Sequence, residues 1–387
     1  MSKEFEKKLK DYVEGKLSAE ERDEIEKEME KMEMYQAHLE KVMNDENMPI
    51  HDIKGQDQPP KIRKEKAIIR KGKWKARIAN TWTVLSVLLL ITIVSSSMTS
   101  LFFGIGEPNR MDTYRDVVSS TIAVTRPNVN LNVSGNVHTF FSMDVDGKLK
   151  KKIGSSYESI GEFSMPFLLG KPGNHTISWL DDRMADTIHF YEPKTKRSEV
   201  EDSEEWNILE KLPEGTVAEV FLSFEQLFTT DELLKKFEQQ NMEPVWFAAD
   251  VGIEADSGDD PVGFPSTPIW HHDDWIVDSY KEEKSGFFGK VITKSSSTPS
   301  VDPYGDGKLR EENFLQTLKL MQTYRSITKQ IAPSFKIDEA VDYLEANGVK
   351  LYGAVVTGPT KELLKLQEEP WVKTVRVGEV RLWNWDD

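Results

Sequence analysis

Two segments of the chain carry side chains in arrangements that could bind a metal ion. Residues 270–275, WHHDDW, place two His beside two Asp, and both groups are common ligands of divalent cations. Residues 302–313, DPYGDGKLREEN, have acids at the first and fifth positions of a calcium-loop pattern. However, adjacent residues seldom converge on one ion, and Tyr304 and Asn313 break the calcium pattern at its third and twelfth positions. We therefore expect no metal site, and interpret residues 302–313 as a turn leading into a helix.

Catalytic chemistry has no clear signature in this sequence. Residues 357–362, TGPTKE, could bind an anion at a helix N-terminus, but the ordinary interpretation is a helix begun by Pro with a Thr cap. The chain has no cysteine, which excludes disulfides, thiol catalysis and thiolate metal sites. It contains no nucleophile elbow, zinc-protease motif or phosphate-binding loop. We predict no catalytic residue, no cofactor and no enzyme activity.

A long uncharged segment is the strongest structural signal. Residues 78–106, IANTWTVLSVLLLITIVSSSMTSLFFGIG, contain no charged side chain, and a bilayer core requires only about 20 apolar helical residues. The buried core helix of a soluble protein is a poorer alternative, because such helices are rarely this long. We expect an anchor rather than a cleaved signal peptide, because 77 residues precede the segment. The sequence therefore predicts a single transmembrane helix.

The charges on either side of this helix predict its orientation. Residues 61–77 hold nine Lys and Arg against one Glu, whereas residues 107–116 hold two Arg against three acids. Because positive flanks stay on the cytoplasmic side, the N-terminus is predicted to be cytoplasmic and the C-terminal part extracytoplasmic. Trp74 and Trp82 are typical of interfacial aromatic residues. A basic segment in this place is also expected to attract anionic membrane lipid.

Both soluble parts of the chain are acidic. The formal net charge is −16, and both parts that flank the basic segment and the span are acidic, so neither is expected to bind nucleic acid directly. The predicted fold class is α+β. The predicted divisions are a cytoplasmic helical domain (1–45), a linker with the basic juxtamembrane segment (46–77), the transmembrane helix (78–106), an extracytoplasmic β-rich region (107–200) and an extracytoplasmic α/β domain (201–387).

The N-terminal segment is predicted to be a pair of helices followed by a flexible linker. The first helix covers about residues 2–14, and the second begins at a capping box formed by Ser18 and Glu21. Each helix has one apolar face, whereas Glu and Lys occupy the other faces. Two short helices cannot bury a sufficient core of their own. We therefore expect them to oligomerise or to dock on a partner, with docking favoured by the flexible linker and a solvated hairpin without a partner as the alternative.

The segment from Tyr12 to Tyr35 resembles the N-terminal domain of membrane-anchored anti-sigma factors. That family shows the pattern Y-x-x-G-x-L-S-x-x-E-R, and residues 12–22 match it. The family then shows H-x-x-x-C-x-x-C, where this chain has Glu28, Met32 and Tyr35. Met and Tyr are poor zinc ligands, so the resemblance implies an anti-sigma domain without zinc. In architecture, the rest of the chain resembles the sigma factor regulator family.

This resemblance implies a function and a set of partners. An extracytoplasmic-function sigma factor would be sequestered by the cytoplasmic helices and released on an envelope signal, with a protease or a second membrane protein as further partners. The alternatives are an envelope enzyme anchored by its N-terminus, and an extracellular binding or adaptor protein. The side chains expected to contact the sigma factor are Phe5, Leu9, Tyr12, Val13, Leu17, Ile25, Met29, Met32 and Tyr35.

The C-terminal part is predicted to be a mixed α/β domain with a repeated unit. A short helical stalk at residues 111–118 is followed by a β-rich region, in which strands are expected at Thr176–Leu180 and Thr187–Tyr191. Further along, a strand, a helix and a strand recur twice, and the two helices have similar sequences, TDELLKKFE and TKELLKLQE. These two β-α-β units are expected to contribute to one mixed sheet, with helices at about 309–332 and 337–347 between them.

Overall fold

The computed structural model describes an α+β protein made of two compact units, Met1–Trp82 and Thr83–Asp387. It describes residue 12 and residues 18–44, 60–180, 190–194, 199–253, 261–285 and 289–383. The predicted first helix, apart from Tyr12, and residues 46–59 of the predicted linker lie outside these residues. The second predicted helix is present as α1, Ala19–Asn44.

The candidate membrane span is part of a 45-residue helix, α2, which runs from Pro60 to Gly104. Its stretch Ile68–Gly104 is long and apolar enough to cross a membrane. The basic residues before the span belong to the same helix, so no break separates the juxtamembrane segment from the apolar segment. The side chains of Leu88, Leu89 and Leu90 are more than half exposed, as expected for a lipid-facing surface.

The first sheet of the second unit is antiparallel and packs on a helix. Its strands lie in the order β1-β2-β3-β4, with β5 paired to β3. The helix, α3 (Arg110–Thr125), contacts β1, and Val117, Val118 and Ile122 are fully buried. The expected stalk is therefore a core helix, because strands that follow it in the chain cover its apolar side. The strands are β1 (Val129–Val137), β2 (Ser142–Ile153), β3 (Ser156–Leu168), β4 (Lys171–Pro172) and β5 (Thr176–Trp179).

The second sheet contains both predicted β-α-β units, and they are interleaved. Its strand order is β12-β6-β11-β7-β8, so one strand of the other unit separates the two strands of each unit. Every neighbouring pair is consequently antiparallel, whereas a mixed sheet was expected. The elements are β6 (Thr216–Phe228), α5 (Thr230–Phe237), β7 (Glu243–Ala249), β8 (Gly263–Pro265), β11 (Leu351–Pro359), α9 (Thr360–Leu363) and β12 (Val372–Leu382).

Helices cover this sheet and bury its core. Leu233 and Phe237 from α5 and Phe314 from a later helix join the strand residues Leu222 and Phe247 in one apolar cluster. One helix was expected over residues 309–332, but the structure has two, because the backbone leaves the helical region at Tyr324. The remaining helices are α4 (Glu199–Lys211), α6 (Gly307–Thr323), α7 (Arg325–Ile331) and α8 (Ile337–Asn347).

A buried ion pair joins the two sheets. Glu219 on β6 is fully buried, and the Lys151 ammonium on β2 lies 3.0 Å from its carboxylate. The Asn128 side-chain amide donates to the other carboxylate oxygen at 2.7 Å. Each charge is thus compensated inside the protein, which is the condition for burying ions without a large loss of stability.

One of the two later predicted strands is present, and the other lies mostly outside the described residues. The strand at Thr176–Leu180 is present as β5, but most of Thr187–Tyr191 lies outside the described residues. A two-stranded antiparallel hairpin, β9 (Ile276–Ser285) with β10 (Gly289–Ser297), was not predicted. The sequence of these two strands is mostly polar and shows no clear alternation of apolar and polar residues, which is the usual signal of a strand.

Candidate partner-binding site

The start of α1 is fixed by the capping box that the sequence predicts. The Ser18 hydroxyl accepts a hydrogen bond from the Glu21 backbone N–H at 3.4 Å, and the Ser18 backbone N–H donates to the Glu21 carboxylate at 3.0 Å. Two backbone N–H groups at the N-terminus of the helix thereby each find a hydrogen-bond acceptor. The helix consequently begins at a defined residue, which sets the direction in which each later side chain points.

Tyr12 connects the preceding segment to α1. Its hydroxyl donates to the Glu26 carboxylate at 2.8 Å, and the Arg22 guanidinium lies 5.6 Å from its ring centre. The hydrogen bond to Glu26 raises the pKa of Tyr12, because that carboxylate favours the protonated phenol. Glu26 was not among the predicted site residues. Tyr12 and Glu26 are 14 residues apart, and a hydrogen bond over this separation leaves no periodic pattern in the sequence.

The apolar stripe of α1 changes from buried to exposed along the helix. Ile25 is 3% exposed and Met29 is half-buried, whereas Met32 is 39% and Tyr35 71% exposed. The predicted residues Phe5, Leu9, Val13 and Leu17 lie outside the described residues. Tyr12 and the first turns of α1 are therefore engaged within the chain, and Met32 and Tyr35 are available at the surface.

Met34 provides a useful comparison with Met32. It is 63% exposed but lies on the opposite side of the helix, since two residues correspond to a rotation of about 200°. Glu30, Lys31 and His38, which are three or four residues away, lie on that face. The two methionines therefore differ in the face that they occupy rather than in chemistry.

No metal site is present among the residues that the structure describes. Glu28, Met32 and Tyr35 occupy the positions of the family's His and two Cys ligands, and no group of three His, Cys, Asp or Glu is placed to hold a metal ion. A thioether and a phenol are poor zinc ligands.

The WHHDDW segment contacts α3 through hydrogen bonds. The His272 Nδ1 lies 2.9 Å from the Asp116 carboxylate, and the His272 backbone N–H donates to the same carboxylate at 3.0 Å. His271 Nε2 lies 3.0 Å from the Ser120 hydroxyl. These contacts fasten a loop to a core helix, which is the structural role that adjacent polar residues usually have.

The other two segments with ligand-like residues are also occupied by internal contacts. The Arg310 guanidinium donates to the backbone oxygens of Asp302, Pro303 and Gly305, so a positive charge fills the calcium-like turn. The Thr357 hydroxyl donates to the Ala218 backbone oxygen at 2.9 Å, and the Thr360 hydroxyl lies 2.9 Å from that of Thr216. The turn interpretation of residues 302–313 agrees with this geometry.

Comparison with known proteins decides the family. A model described as "Sigma factor regulator N-terminal" matches residues 66–157, and one described as "Sigma factor regulator C-terminal" matches residues 209–379. Together these matches span more than half of the chain. The chain belongs to the sigma factor regulator family. The resemblance found in the sequence is thereby confirmed, and the family points to a regulatory role.

A full-length relative gives the same result for this sigma factor regulator. The chain is similar to "Probable anti-sigma-M factor YhdL" from Bacillus subtilis (strain 168). The two share 28% identity over 393 aligned residues, which cover all of both chains. No solved structure matches. The two family models leave residues 1–65 unmatched, whereas the alignment with the relative includes them. A regulator of this family has a sigma factor as its partner, and the family together with the candidate span indicates membrane anchoring.

Proposed function

We propose that this anti-sigma factor holds an extracytoplasmic-function sigma factor on its N-terminal helices and releases it in response to an envelope signal. The observation that carries the proposal is the apolar stripe of α1, which becomes exposed at Met32 and Tyr35 while acidic side chains occupy the neighbouring faces. Such a surface combines apolar anchors, which supply affinity, with charges that select a basic partner.

The contacts at the start of α1 support a division of roles along the stripe. The bond from Tyr12 to Glu26 holds Tyr12 against α1, and Ile25 is buried close to it in sequence. Met29, Met32 and Tyr35 then provide the surface that docks on the sigma factor. Phe5, Leu9, Val13 and Leu17 complete it from the first helix in this proposal.

The orientation forms part of the same proposal. The nine basic residues of segment 61–77 precede the apolar part of α2, and this charge asymmetry supports a cytoplasmic location for the N-terminal helices and an outer location for the C-terminal domain. Anchoring keeps the bound sigma factor at the membrane. The relative's name makes the host's counterpart of sigma-M the first partner to test.

Two matched substitutions test the docking surface. Met32→Lys places a charge on the stripe, whereas Met34→Lys places the same charge on the opposite, charged face. The expected result is loss of co-purification of the sigma factor with full-length Met32→Lys protein and constitutive expression of its regulon. Met34→Lys should retain both binding and repression, and if the two variants behave alike the proposed surface is wrong.

A deletion separates this function from the alternatives. Removal of residues 1–60 should abolish sigma binding and repression. An anchored envelope enzyme or an extracellular adaptor would instead keep its activity, because its functional groups would reside in the C-terminal domain.

A further inference from the structure

The end of α2 is fastened to a loop of the first sheet. Thr99 and Phe103 are fully buried and Ser95 is half-buried, although these residues belong to the candidate membrane span. The loop between β1 and β2 lies against them. The Phe140 backbone N–H donates to the Ser95 hydroxyl at 2.8 Å, and the Phe141 backbone N–H donates to the Thr99 hydroxyl at 2.9 Å.

These two hydrogen bonds determine how far the loop reaches along the span. Ser95 lies nine residues before Gly104, which corresponds to about 13 Å of helix. The uncharged segment 78–106 is longer than the roughly 20 residues that cross a bilayer core. Whichever 20 of its residues fill the core, the boundary on the side of the C-terminal domain falls between about residue 97 and residue 106. The contact at Ser95 is therefore below that boundary in every placement, and the contact at Thr99 is below it or within about 3 Å of it.

The side chains at this level are apolar and exposed. Phe140 is 56% exposed in the first loop, and Leu168 at the end of β3 and Leu169 directly after it are 58% and 61% exposed. The Leu169 backbone N–H donates to the Phe141 oxygen at 2.8 Å, so the two loops form one surface. Met98 and Leu101 of α2 and Ile105, directly after it, are also about half exposed or more.

The backbone of these loops is unusual for a surface turn in water. Phe140 and Phe141 both have a φ of 57°, and Leu169 has a φ of 53°. Left-handed positions at exposed turns normally hold Gly, Asn or Asp, and a bulky side chain there is strained. Large apolar residues at such positions indicate that the side chains are required by their surroundings.

Basic groups border the apolar surface on the side of the C-terminal domain. The Arg110 guanidinium is exposed, lies 4.3 Å from the Phe102 ring centre and donates to the Phe102 backbone oxygen at 2.9 Å. Lys171 is exposed directly after the second loop. Aromatic and basic residues in this succession are typical of the level of lipid headgroups.

We propose that the loops at residues 138–141 and 168–171 insert into the membrane leaflet on the side of the C-terminal domain, next to the span. Lipid is the occupant because the surface lies beside the point where α2 leaves the bilayer, and its depth is fixed by hydrogen bonds to the span itself. The C-terminal domain is then attached to the membrane by its loops as well as by its helix. This inference rests on membrane anchoring and not on sigma binding.

Spin labels placed on the full-length protein test the insertion. The chain has no cysteine, so Phe140→Cys and Leu169→Cys give single labelling sites. Tyr157→Cys is the matched control, because Tyr157 is 58% exposed and lies at the opposite end of the same sheet. Each labelled protein is reconstituted into vesicles of phosphatidylcholine and phosphatidylglycerol, and collisions with oxygen and with a water-soluble nickel complex are compared.

The expected result is a several-fold lower accessibility to nickel and a higher accessibility to oxygen at positions 140 and 169 than at position 157. Equal accessibility to nickel at all three positions would overturn the proposal. Low accessibility to both reagents at 140 and 169 would also overturn it, since protein would then cover the surface. Leu168→Cys repeats the measurement if labelling at 140 disturbs the hydrogen bond to Ser95.

Discussion

Glu219 shows how single residues hold the two sheets together. Its carboxylate accepts from Lys151 and from Asn128, and all three groups are buried. The net stabilisation by a buried ion pair is small, whereas removal of one partner lowers the stability strongly, because the other charge is then buried alone. The stability of the sheet junction therefore depends on both charges being present.

Replacing Lys151 by Met is expected to destabilise the C-terminal domain by about 3–5 kcal/mol, because it leaves the Glu219 charge buried without its cation. The free energy of unfolding in denaturant measures the loss. Lys152→Met is the neighbouring control, since its partner Glu243 is half exposed, and it should cost no more than about 1 kcal/mol. Equal losses in the two variants would contradict the role of the buried pair.

His175 gives the domain a dependence on pH. Burial lowers its pKa, and its Nδ1 donates to the Gln330 backbone oxygen at 2.9 Å. Because the unfolded chain binds the proton more tightly, neutral His175 contributes stability that is fully present above its unfolded pKa of about 6.5. This contribution is lost as the pH falls through the lower pKa of the folded state.

His175→Gln should therefore lose less stability between about pH 7 and pH 5 than the unsubstituted chain, because it has no imidazole to protonate. Thermal unfolding at several pH values measures this difference. An unchanged slope would show that the His175 imidazole has the same proton affinity in both states.

The stability of helix α1 depends on the segments that pack against it. A helix of 26 residues with a narrow apolar stripe has little stability of its own in water. Residues 1–60 alone are therefore expected to be partly helical, and addition of the cognate sigma factor should raise the helical circular dichroism signal. The rise should persist in the presence of a zinc chelator. Binding that a chelator abolished would contradict a zinc-free domain.

Elements were predictable from the sequence where the signal is local. The capping box at Ser18 and the uncharged segment predict α1 and the span, because neighbouring residues alone determine them. The burial of α3 and the order of the second sheet depend on strands far apart in sequence, which periodicity does not report. The hydrogen bonds of the Ser95 and Thr99 hydroxyls were likewise not predictable, because their partners Phe140 and Phe141 lie in a loop more than 40 residues away in sequence.

At the scale of the whole molecule, the orientation in the membrane can be measured directly. Met34→Cys and Tyr157→Cys each introduce a single exposed thiol, one in each unit. A membrane-impermeant maleimide added to intact cells should label position 157 and leave position 34 unlabelled until the cells are lysed. The reverse pattern would show that the basic flank does not determine the orientation.

The interleaving of the second sheet affects what happens when the chain is cut. Its strand order alternates between an earlier and a later part of the sequence, since β11 lies between β6 and β7 and β6 lies between β11 and β12. A single nick in the chain between β8 and β11 would therefore leave each fragment hydrogen-bonded to the other along several strands. The severed halves would stay together as a non-covalent complex, and shedding of the domain would require unfolding or a second cut close to the membrane.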